Sequence, residues 1–177
     1  AAAVESAGAY PNSRLRRHLL LTDGFLVDVF DVQGGKEDSV DWFLRCVGSA
    51  SSALPLAEDT SKPENATYGY LHERQSATTA GSWSCEWRTE KGTMHLTMLA
   101  EPSTEVTVAK APGPAGEDPW DTLRVRRRTQ TTRFVAVYQF LSPDAAPAEV
   151  RATADGIEVG KARVALPTEE VPLPTLQ

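Results

Sequence analysis

Arginine is concentrated in one short stretch of the chain. Arg124, Arg126, Arg127 and Arg128 lie close together, and Arg133 follows them. Guanidinium groups donate paired hydrogen bonds whose geometry matches carboxylates and sulfates. The stretch therefore indicates either the solvated face of a strand or a site for anionic sugar groups. In the second case Arg124, Arg126 and Arg128 are the candidate ligand-binding residues.

Tryptophan is the second residue type that could bind a sugar, because an aromatic face packs well against the C–H face of a pyranose ring. The chain has four tryptophans. Trp42 lies in an apolar strand and is expected in the core. Trp83 and Trp120 lie near loops, and we predict them as exposed stacking residues.

Asp28 stands out because it lies in the middle of an apolar segment. A buried carboxylate must be solvated, paired with a cation or bound to a metal ion. An ion pair across the sheet, with Arg16 or Arg133, is one interpretation. Metal ligation is the other.

The three histidines are His18, His72 and His95. Their spacing places no two of them together on one element as metal ligands. The sequence also has no His-Glu-x-x-His, P-loop or Gly-x-Ser-x-Gly motif. Each histidine is therefore predicted to be a surface or packed residue, and no catalytic residue is predicted in this chain.

These candidates must be positioned by short strands, since turn residues interrupt the chain at close intervals. Thr22-Asp23-Gly24 separates two apolar segments and is a strong hairpin signal. We found no amphipathic helix. The pattern predicts an all-β fold, an antiparallel two-sheet β-sandwich of about nine or ten strands. The predicted strands cover residues 14–21, 25–32, 41–47, 82–88, 93–99, 104–110, 123–129, 133–141, 150–153 and 156–164. Residues 68–72 are a further candidate for a short strand.

The predicted organisation is a single sandwich domain over residues 14–165. A lead-in over residues 1–13 precedes it, and a proline-rich tail over residues 166–177 follows it. A chain of 177 residues is of ordinary size for one domain. Cys46 and Cys85 are the only cysteines, and the sequence allows either one bridge or two free thiols.

Composition excludes several classes of function. The chain is 41% hydrophobic and 24% charged, as expected for a folded soluble domain. Its formal net charge of -6 argues against nucleic acid as a partner, which requires a positive field. The sequence contains no apolar run of about 18 residues, so no membrane insertion is expected.

Two stretches resemble a known family. The first is Leu26-Val-Asp-Val-Phe-Asp-Val-Gln-Gly-Gly-Lys36, continuing to Asp41-Trp-Phe-Leu44. The second runs from Tyr70-Leu71 through Trp83-Ser-Cys-Glu-Trp87 to Arg126-Arg-Arg128 and Thr132-Arg-Phe-Val135. Together they cover most of residues 14–141 and resemble the C-terminal β-sandwich domain of heparinase II/III-like polysaccharide lyases.

The resemblance implies the sandwich half of a two-part enzyme that cleaves uronic-acid glycans by β-elimination. In that family the base and acid are chiefly a tyrosine and a histidine on an N-terminal α-helical toroid, which these residues do not include. The chain alone is therefore expected to be inactive. The toroid, in the same or a separate chain, and an acidic polysaccharide are the implied partners. The implied location is secreted or periplasmic.

Some relatives in that family hold a structural metal in the sandwich through two histidines and an aspartate. Asp28 matches the aspartate, and His72 is the candidate histidine for a divalent metal. Arg45-Cys46 stands where the family has a histidine after Asp-Trp-Phe-Leu, so this position departs from the pattern.

Three hypotheses follow. The chain is the C-terminal sandwich of a polysaccharide lyase that supports the toroid and lines the substrate cleft. Alternatively, it is a stand-alone carbohydrate-binding module for acidic polysaccharides. The third hypothesis is a surface adhesion domain with no sugar ligand.

Overall fold

The computed structural model describes residues 1–8, 10–34, 39–63, 66–115, 117–168 and 173–176. Sixteen β-strands and one short 3₁₀ turn, Ala66–Tyr68, are the regular elements of these residues. No helix in the described ranges has the length and apolarity to cross a bilayer. The strands are β1 Ala2–Ser6, β2 Ser13–Leu21, β3 Leu26–Gly34, β4 Val40–Arg45, β5 Ser49–Ser52, β6 Ala57–Glu58, β7 His72–Thr79, β8 Trp83–Thr89, β9 Gly92–Met98, β10 Thr104–Ala111, β11 Trp120–Arg127, β12 Thr132–Leu141, β13 Val150–Ala152, β14 Gly156–Val159, β15 Ala162–Ala165 and β16 Thr175–Leu176.

The strands form three sheets, and every pairing between described strands is antiparallel. The seven-stranded sheet has the order β1-β2-β3-β12-β9-β8-β5. The five-stranded sheet has the order β4-β11-β10-β7-β6. The four-stranded sheet has the order β13-β14-β15-β16.

The all-β, antiparallel prediction is confirmed, but nine or ten strands in two sheets was too few. Several of the additional strands have no apolar alternation. β1 and β5 are the edges of the seven-stranded sheet, and all of β1 is exposed. β7 has the polar sequence His-Glu-Arg-Gln-Ser-Ala-Thr-Thr. A strand that buries little surface does not need alternating apolar and polar residues, which is the pattern that predicts a strand from sequence.

A large core joins the seven-stranded and five-stranded sheets. Both sheets contribute large apolar side chains to it, which excludes water from the space between them. The buried members are Trp83, Cys85, Trp87, Leu96, Met98, Phe134, Ala136 and Tyr138 from the seven-stranded sheet, and Trp42, Val106, Leu123 and Val125 from the five-stranded sheet.

A second core joins the opposite face of the seven-stranded sheet to the four-stranded sheet. Consecutive residues of β12 point into different cores, since Phe134 belongs to the first core and Val135 to the second. The seven-stranded sheet therefore buries side chains on both faces. The members of the second core are Leu20, Val27, Val29, Val135, Val137, Ile157, Val159 and Val164.

The predicted hairpin at Thr22-Asp23-Gly24 is present between β2 and β3. The Thr22 N–H donates to the Phe25 carbonyl at 2.9 Å, and the Thr22 hydroxyl donates to the same oxygen. The connection between the strands predicted at 25–32 and 41–47 includes residues outside the described ranges. The segment predicted as one strand at 156–164 is two strands, because Gly160 adopts a φ of 59° between β14 and β15.

The predicted terminal segments also contribute strands. Residues 2–6, expected as part of a lead-in, pair with β2 as β1. Thr175–Leu176, in the expected tail, pairs with β15 as β16. The rest of the tail includes residues outside the described ranges.

Asp121 connects two sheets directly. It belongs to β11 of the five-stranded sheet, and its Oδ2 accepts a hydrogen bond of 2.6 Å from the backbone N–H of Ala50. Ala50 lies on β5, an edge of the seven-stranded sheet. The other carboxylate oxygen pairs with Lys110 Nζ at 2.6 Å. The carboxylate is buried with both oxygens satisfied.

Candidate functional site

The three predicted arginines lie together on β11 and the residue after it. Leu123 and Val125 point into the first core. Residues two apart share a face of a strand, so Arg124, Arg126 and Arg128 lie on the opposite, outer face. The alternation of the strand thus assembles the predicted arginine set.

The neighbouring strands extend this face into a cleft of about 340 Å³. β10 and β7 contribute polar residues at the paired positions, for example Thr78 opposite Glu105. The loop after β6 forms the far side. The lining residues are Asp59, Ser61, Lys62, Pro63, Arg74, Ser76, Ala77, Thr78, Glu105, Arg124, Arg126 and Arg128.

Arg126 is held by Asp41, which lies opposite it on the neighbouring strand β4. Its Nε and Nη2 donate to the two carboxylate oxygens, both at 2.7 Å. The Tyr68 hydroxyl donates to Asp41 Oδ2 at 2.6 Å, and the Arg126 guanidinium lies 5.5 Å from the centre of the Tyr68 ring. Arg126 is therefore a fixed positive charge on the sheet.

The Asp41–Arg126–Tyr68 network shifts the acidity of two of its groups. Burial alone raises the pKa of Asp41, but the hydrogen bonds from Arg126 and Tyr68 and the nearby positive charges outweigh it, so the pKa lies below its ordinary value. Burial, followed by the hydrogen bond to Asp41, raises the pKa of Tyr68 to about 12. Tyr68 is therefore protonated at neutral pH.

Glu105 connects the other two arginines. Arg124 donates to Glu105 Oε1 and, at 3.0 Å, to the Thr107 hydroxyl. Arg128 lies 3.9 Å from Glu105 Oε2, and its side chain is 59% exposed. Of the three arginines, Arg128 is thus the most accessible to a ligand, since Arg124 and Arg126 are buried.

The opposite side of the cleft has its own ion pair. Arg74 Nε lies 3.4 Å from Asp59 Oδ2, and Arg74 also donates to the carbonyls of Asp59 and Ser61. Lys62 follows Ser61 and is exposed. These contacts fix the loop after β6 beside the arginine face.

The described residues that line the cleft carry an excess of positive charge. Five of them are cationic, whereas two, Asp59 and Glu105, are carboxylates. The whole chain, by contrast, has a net charge of -6. A positive concavity on an acidic protein concentrates the field that attracts an anion.

The two predicted stacking tryptophans do not belong to the cleft. Trp83 is buried in the first core. Trp120 is half-buried at the start of β11, and its Nε1 donates to Glu117 Oε2 at 2.9 Å. None of the described residues that line the cleft is aromatic. The sequence indicated both tryptophans from their closeness to loops, but Trp83 alternates inward with Cys85 and Trp87.

The residues predicted as metal ligands do not form a metal site. Asp28 is buried on β3, and both of its oxygens accept hydrogen bonds from Arg17, at 2.9 Å and 2.6 Å. His72 is exposed on β7, in a different sheet. Among the described residues there is no group of three or more histidine, cysteine or acidic side chains able to hold a metal.

The ion-pair interpretation of Asp28 is confirmed, with a different partner from those predicted. Arg16 pairs with Glu5 and Arg133 with Asp31, on the other face of the sheet. Arg17 is the arginine that shares a face with Asp28, since it is diagonal to it in the β2–β3 register.

Arg127, part of the same basic run, has a structural position. It is buried, and its guanidinium lies 4.2 Å from the centre of the Phe134 ring. It donates to Thr104, Thr132 and the Arg133 carbonyl. Burial lowers the pKa of Arg127 to about 10. Arg127 lies two residues after Val125, which points into the first core, so its side chain is on the core side of the sheet.

Sequence reasoning missed several cleft residues, notably Lys62, Arg74 and Glu105. The signal for Glu105 was present, because an acidic residue in a strand otherwise rich in valine and threonine needs a partner. The loop residue Lys62 carries no comparable signal. Both cysteines are free thiols, which decides between the two alternatives that the sequence allowed.

No family model matches the chain. No curated protein is detectably similar to it.

Proposed function

We propose that this chain is a non-catalytic module that binds an acidic polysaccharide in the cleft of the five-stranded sheet. The observation that carries the proposal is the set of five cationic side chains around one concave face. Guanidinium groups recognise carboxylates and sulfates through paired hydrogen bonds. The hydroxyls of Ser61, Ser76 and Thr78 provide additional polar contacts for a sugar chain.

The cationic residues of the cleft have two different roles in this proposal. Arg124 and Arg126 are buried and held by Glu105 and Asp41, so they set the potential of the surface without moving. Arg128 and Lys62 are exposed and meet the ligand. Because exposed side chains rearrange at little cost, they adapt to the spacing of anionic groups along the glycan.

Recognition by charge distinguishes this site from one that stacks sugar rings. With no aromatic residue among the described lining residues, affinity depends mainly on the ion pairs. Such contacts weaken as salt screens them. We therefore expect binding to decrease steeply with ionic strength, and uncharged glycans not to bind.

The tyrosine beside the cleft is not suited to proton abstraction at neutral pH. Tyr68 lies beside the arginines, but its pKa of about 12 keeps it protonated. A general base is most effective when its pKa lies near the working pH. This supports binding, not turnover, as the property of the isolated chain.

The test is calorimetric titration of the purified chain with alginate, hyaluronan, heparin and ulvan, with dextran as an uncharged control. The double variant Lys62→Ala/Arg128→Ala removes two exposed charges of the cleft. The matched control is Arg151→Ala/Arg163→Ala, which removes two exposed arginines from β13 and β15 of the four-stranded sheet.

We expect the cleft variant to weaken binding of the acidic glycan at least about tenfold, as for the loss of two ion-paired contacts. The control variant should bind as wild type does. Equal binding by the two variants, or equal binding of dextran, rejects the cleft as the site. Absence of binding to any of the four acidic glycans leaves the adhesion-domain hypothesis in its place.

A second candidate is the C-terminal sandwich of a uronic-acid polysaccharide lyase, in a secreted or periplasmic enzyme. Here the seven-stranded and five-stranded sheets are the sandwich, and the four-stranded sheet is an addition to it. The resemblance of residues 26–44 supports this candidate. So do three exposed apolar side chains, Val4, Leu21 and Phe140, which are 66%, 71% and 63% exposed.

These three side chains lie on the first-core face of the seven-stranded sheet. Leu21 pairs with Leu26, which packs on that core. Phe140 lies two residues after the core residue Tyr138 and is therefore on the same face of β12. Exposed apolar side chains on one face are typical of a covered surface, and the toroid is the partner that this candidate supplies.

The lyase candidate is tested by two assays of unsaturated uronate absorbance. The isolated chain should give no product. The full-length protein, with any upstream helical region restored, should give product from at least one uronic-acid glycan. Product from the isolated chain contradicts a non-catalytic role, and an upstream region without helices contradicts the lyase candidate.

A further inference from the structure

The two buried arginines of the cleft are paired in different ways. Arg124 donates from Nη2 to Glu105 Oε1 and, at 3.0 Å, to the Thr107 hydroxyl. Its Nε is buried and makes no hydrogen bond within the described part of the chain. Arg126, on the same face, donates to Asp41 from both Nε and Nη2. One donor of the Arg124 guanidinium is therefore unused, although its side chain is only 10% exposed.

Two-point pairing between arginine and a carboxylate recurs in this protein. Three ion pairs between neighbouring strands use Nε and Nη2 of the arginine together, as the planar shapes of the two groups favour. They are Arg17 with Asp28, Arg126 with Asp41 and Arg133 with Asp31. Buried donors nearly always have a partner, so the unused Nε of Arg124 indicates a position for an acceptor that the chain itself does not supply.

Glu105 is held by fewer contacts than the other carboxylate of this face. Its Oε1 accepts from Arg124, whereas its Oε2 lies 3.9 Å from Arg128, too far for a hydrogen bond. The side chain is 31% exposed and lines the cleft. Asp41 accepts two hydrogen bonds from Arg126 and is 10% exposed. Glu105 can therefore turn toward solvent with the loss of fewer contacts than Asp41.

A carboxylate of a ligand is suited to the position that Glu105 occupies. Against the Nε–Nη2 edge of Arg124, a planar carboxylate accepts two hydrogen bonds, whereas Glu105 accepts one. The hydroxyl of Ser76, which lies 2.9 Å from that of Thr107, adds a polar group to this part of the cleft. An incoming carboxylate thus competes with Glu105 for the same guanidinium group.

We propose that Glu105 occupies a carboxylate subsite of the cleft, and that a carboxylate of the bound polysaccharide displaces it from Arg124. The subsite selects glycans that carry uronic acid. The inference rests on the proposed function, because the glycan lies in the same cleft. It adds an internal competitor, so the wild-type protein binds more weakly than a chain without Glu105 would.

A small carboxylate tests the subsite without any glycan. Glu105→Ala removes the internal carboxylate, and acetate is titrated against chloride at constant ionic strength while the Nε–H resonance of Arg124 is followed by NMR. We expect a saturable shift, with acetate bound at least about tenfold more tightly by the variant than by the wild type. The Arg126 resonance is the internal control and should stay in place, since its Nε donates to Asp41.

A second variant separates two-point recognition from charge. Glu105→Ala/Arg124→Lys keeps the positive charge but replaces the guanidinium edge by a single ammonium group. Acetate binding should fall about tenfold relative to Glu105→Ala, the loss expected for one charge-assisted hydrogen bond. Equal binding of acetate by the two variants would show an effect of charge alone and would reject the subsite.

Glycan titrations measure the competition itself. Glu105→Gln keeps an acceptor for Arg124 without the negative charge, and it should bind alginate about fivefold more tightly than the wild type does. Dextran sulfate, which carries no carboxylate, should gain less. An equal gain for the two polymers contradicts a carboxylate subsite. This comparison also decides the matter if Glu105→Ala does not fold.

The subsite and the proposed function fail in different experiments. Acetate binding by Glu105→Ala without binding of any acidic glycan by the wild type supports the subsite and contradicts the polysaccharide function. Alginate binding that requires Lys62 and Arg128, together with no response of Arg124 to acetate in Glu105→Ala, supports the function and overturns the role of Glu105.

Discussion

Arg126 and Asp41 form a two-point ion pair between β11 and β4, with both nitrogen–oxygen distances at 2.7 Å. Their side chains are 4% and 10% exposed. Arg126 also lines the candidate cleft. One residue therefore contributes to the binding surface and to the edge of the five-stranded sheet. Variants of Arg126 test both properties together and do not separate them.

We expect Asp41→Asn to lower the free energy of unfolding by about 3 kcal/mol, because it removes the carboxylate that pairs with the buried Arg126 charge. Chemical denaturation of the variant and wild type measures the difference. Glu149→Gln is the control, since it breaks an exposed pair with Arg151 and should change stability little. Equal effects of the two substitutions would show that Asp41 has no special role.

The same pair predicts a pH dependence. The pKa of Asp41 is lower in the folded state than its ordinary value of about 3.8. Its contribution to stability is therefore complete above that ordinary value and is lost as the pH falls through the folded pKa. The stability difference between wild type and Asp41→Asn should thus be largest near neutral pH and should shrink below roughly pH 4. A difference that stays constant at low pH contradicts the lowered pKa.

Arg127 and Arg128 are adjacent but face opposite sides of the sheet, so they form a matched pair. Arg127→Ala removes a buried guanidinium packed over Phe134 and should cost about 2–4 kcal/mol of stability. Arg128→Ala should leave stability nearly unchanged and weaken acidic-glycan binding. Thermal unfolding and glycan titration of both variants measure the two effects. Similar behaviour of the variants would contradict the assignment of faces.

Trp83 gives a prediction against sugar stacking. It is buried in the first core, so Trp83→Ala should destabilise the protein by about 3–5 kcal/mol through the cavity that it leaves. Where the variant is folded, its affinity for acidic glycan should match wild type. Denaturation and titration at low temperature provide the two measurements. A stable variant with weakened binding would place Trp83 at the ligand.

The free thiols predict unequal reactivity. Burial raises the pKa of Cys85 to about 12 and also raises that of the half-buried Cys46. Since the thiolate is the reactive form, both should react slowly in the native protein, Cys85 more slowly than Cys46. Thiol labelling followed by mass spectrometry measures the order. After unfolding without reductant, both should react, and a single disulfide-linked product would contradict free cysteines.

The parts of the fold that the sequence predicted are those with strong local signals. The β2–β3 hairpin follows from Asp23-Gly24 between apolar segments, and β12 follows from its long apolar run. β7 could not be predicted in the same way, because its side chains contribute to a polar cleft and not to a core. Its place between β10 and β6 depends on pairing with strands distant in the sequence.

The candidate site was predictable to a similar extent. The basic run identified Arg124, Arg126 and Arg128, since a strand places alternate residues on one face. The partners of the arginines were not predictable, because Asp41 is 85 residues from Arg126 in the chain. Closeness to a loop predicts that Trp83 is exposed, whereas the alternation of Trp83, Cys85 and Trp87 predicts that it is buried, and the structure follows the alternation.

The carboxylate of Asp121 has a consequence for how the molecule unfolds. It accepts a hydrogen bond from the amide of Ala50, so the last strand of the seven-stranded sheet is attached to an inner strand of the five-stranded sheet. An edge strand normally frays before the rest of its sheet. Here the detachment of β5 removes a hydrogen bond from a buried carboxylate, so the Ala50 amide should exchange more slowly than the amides of an edge strand without such a contact.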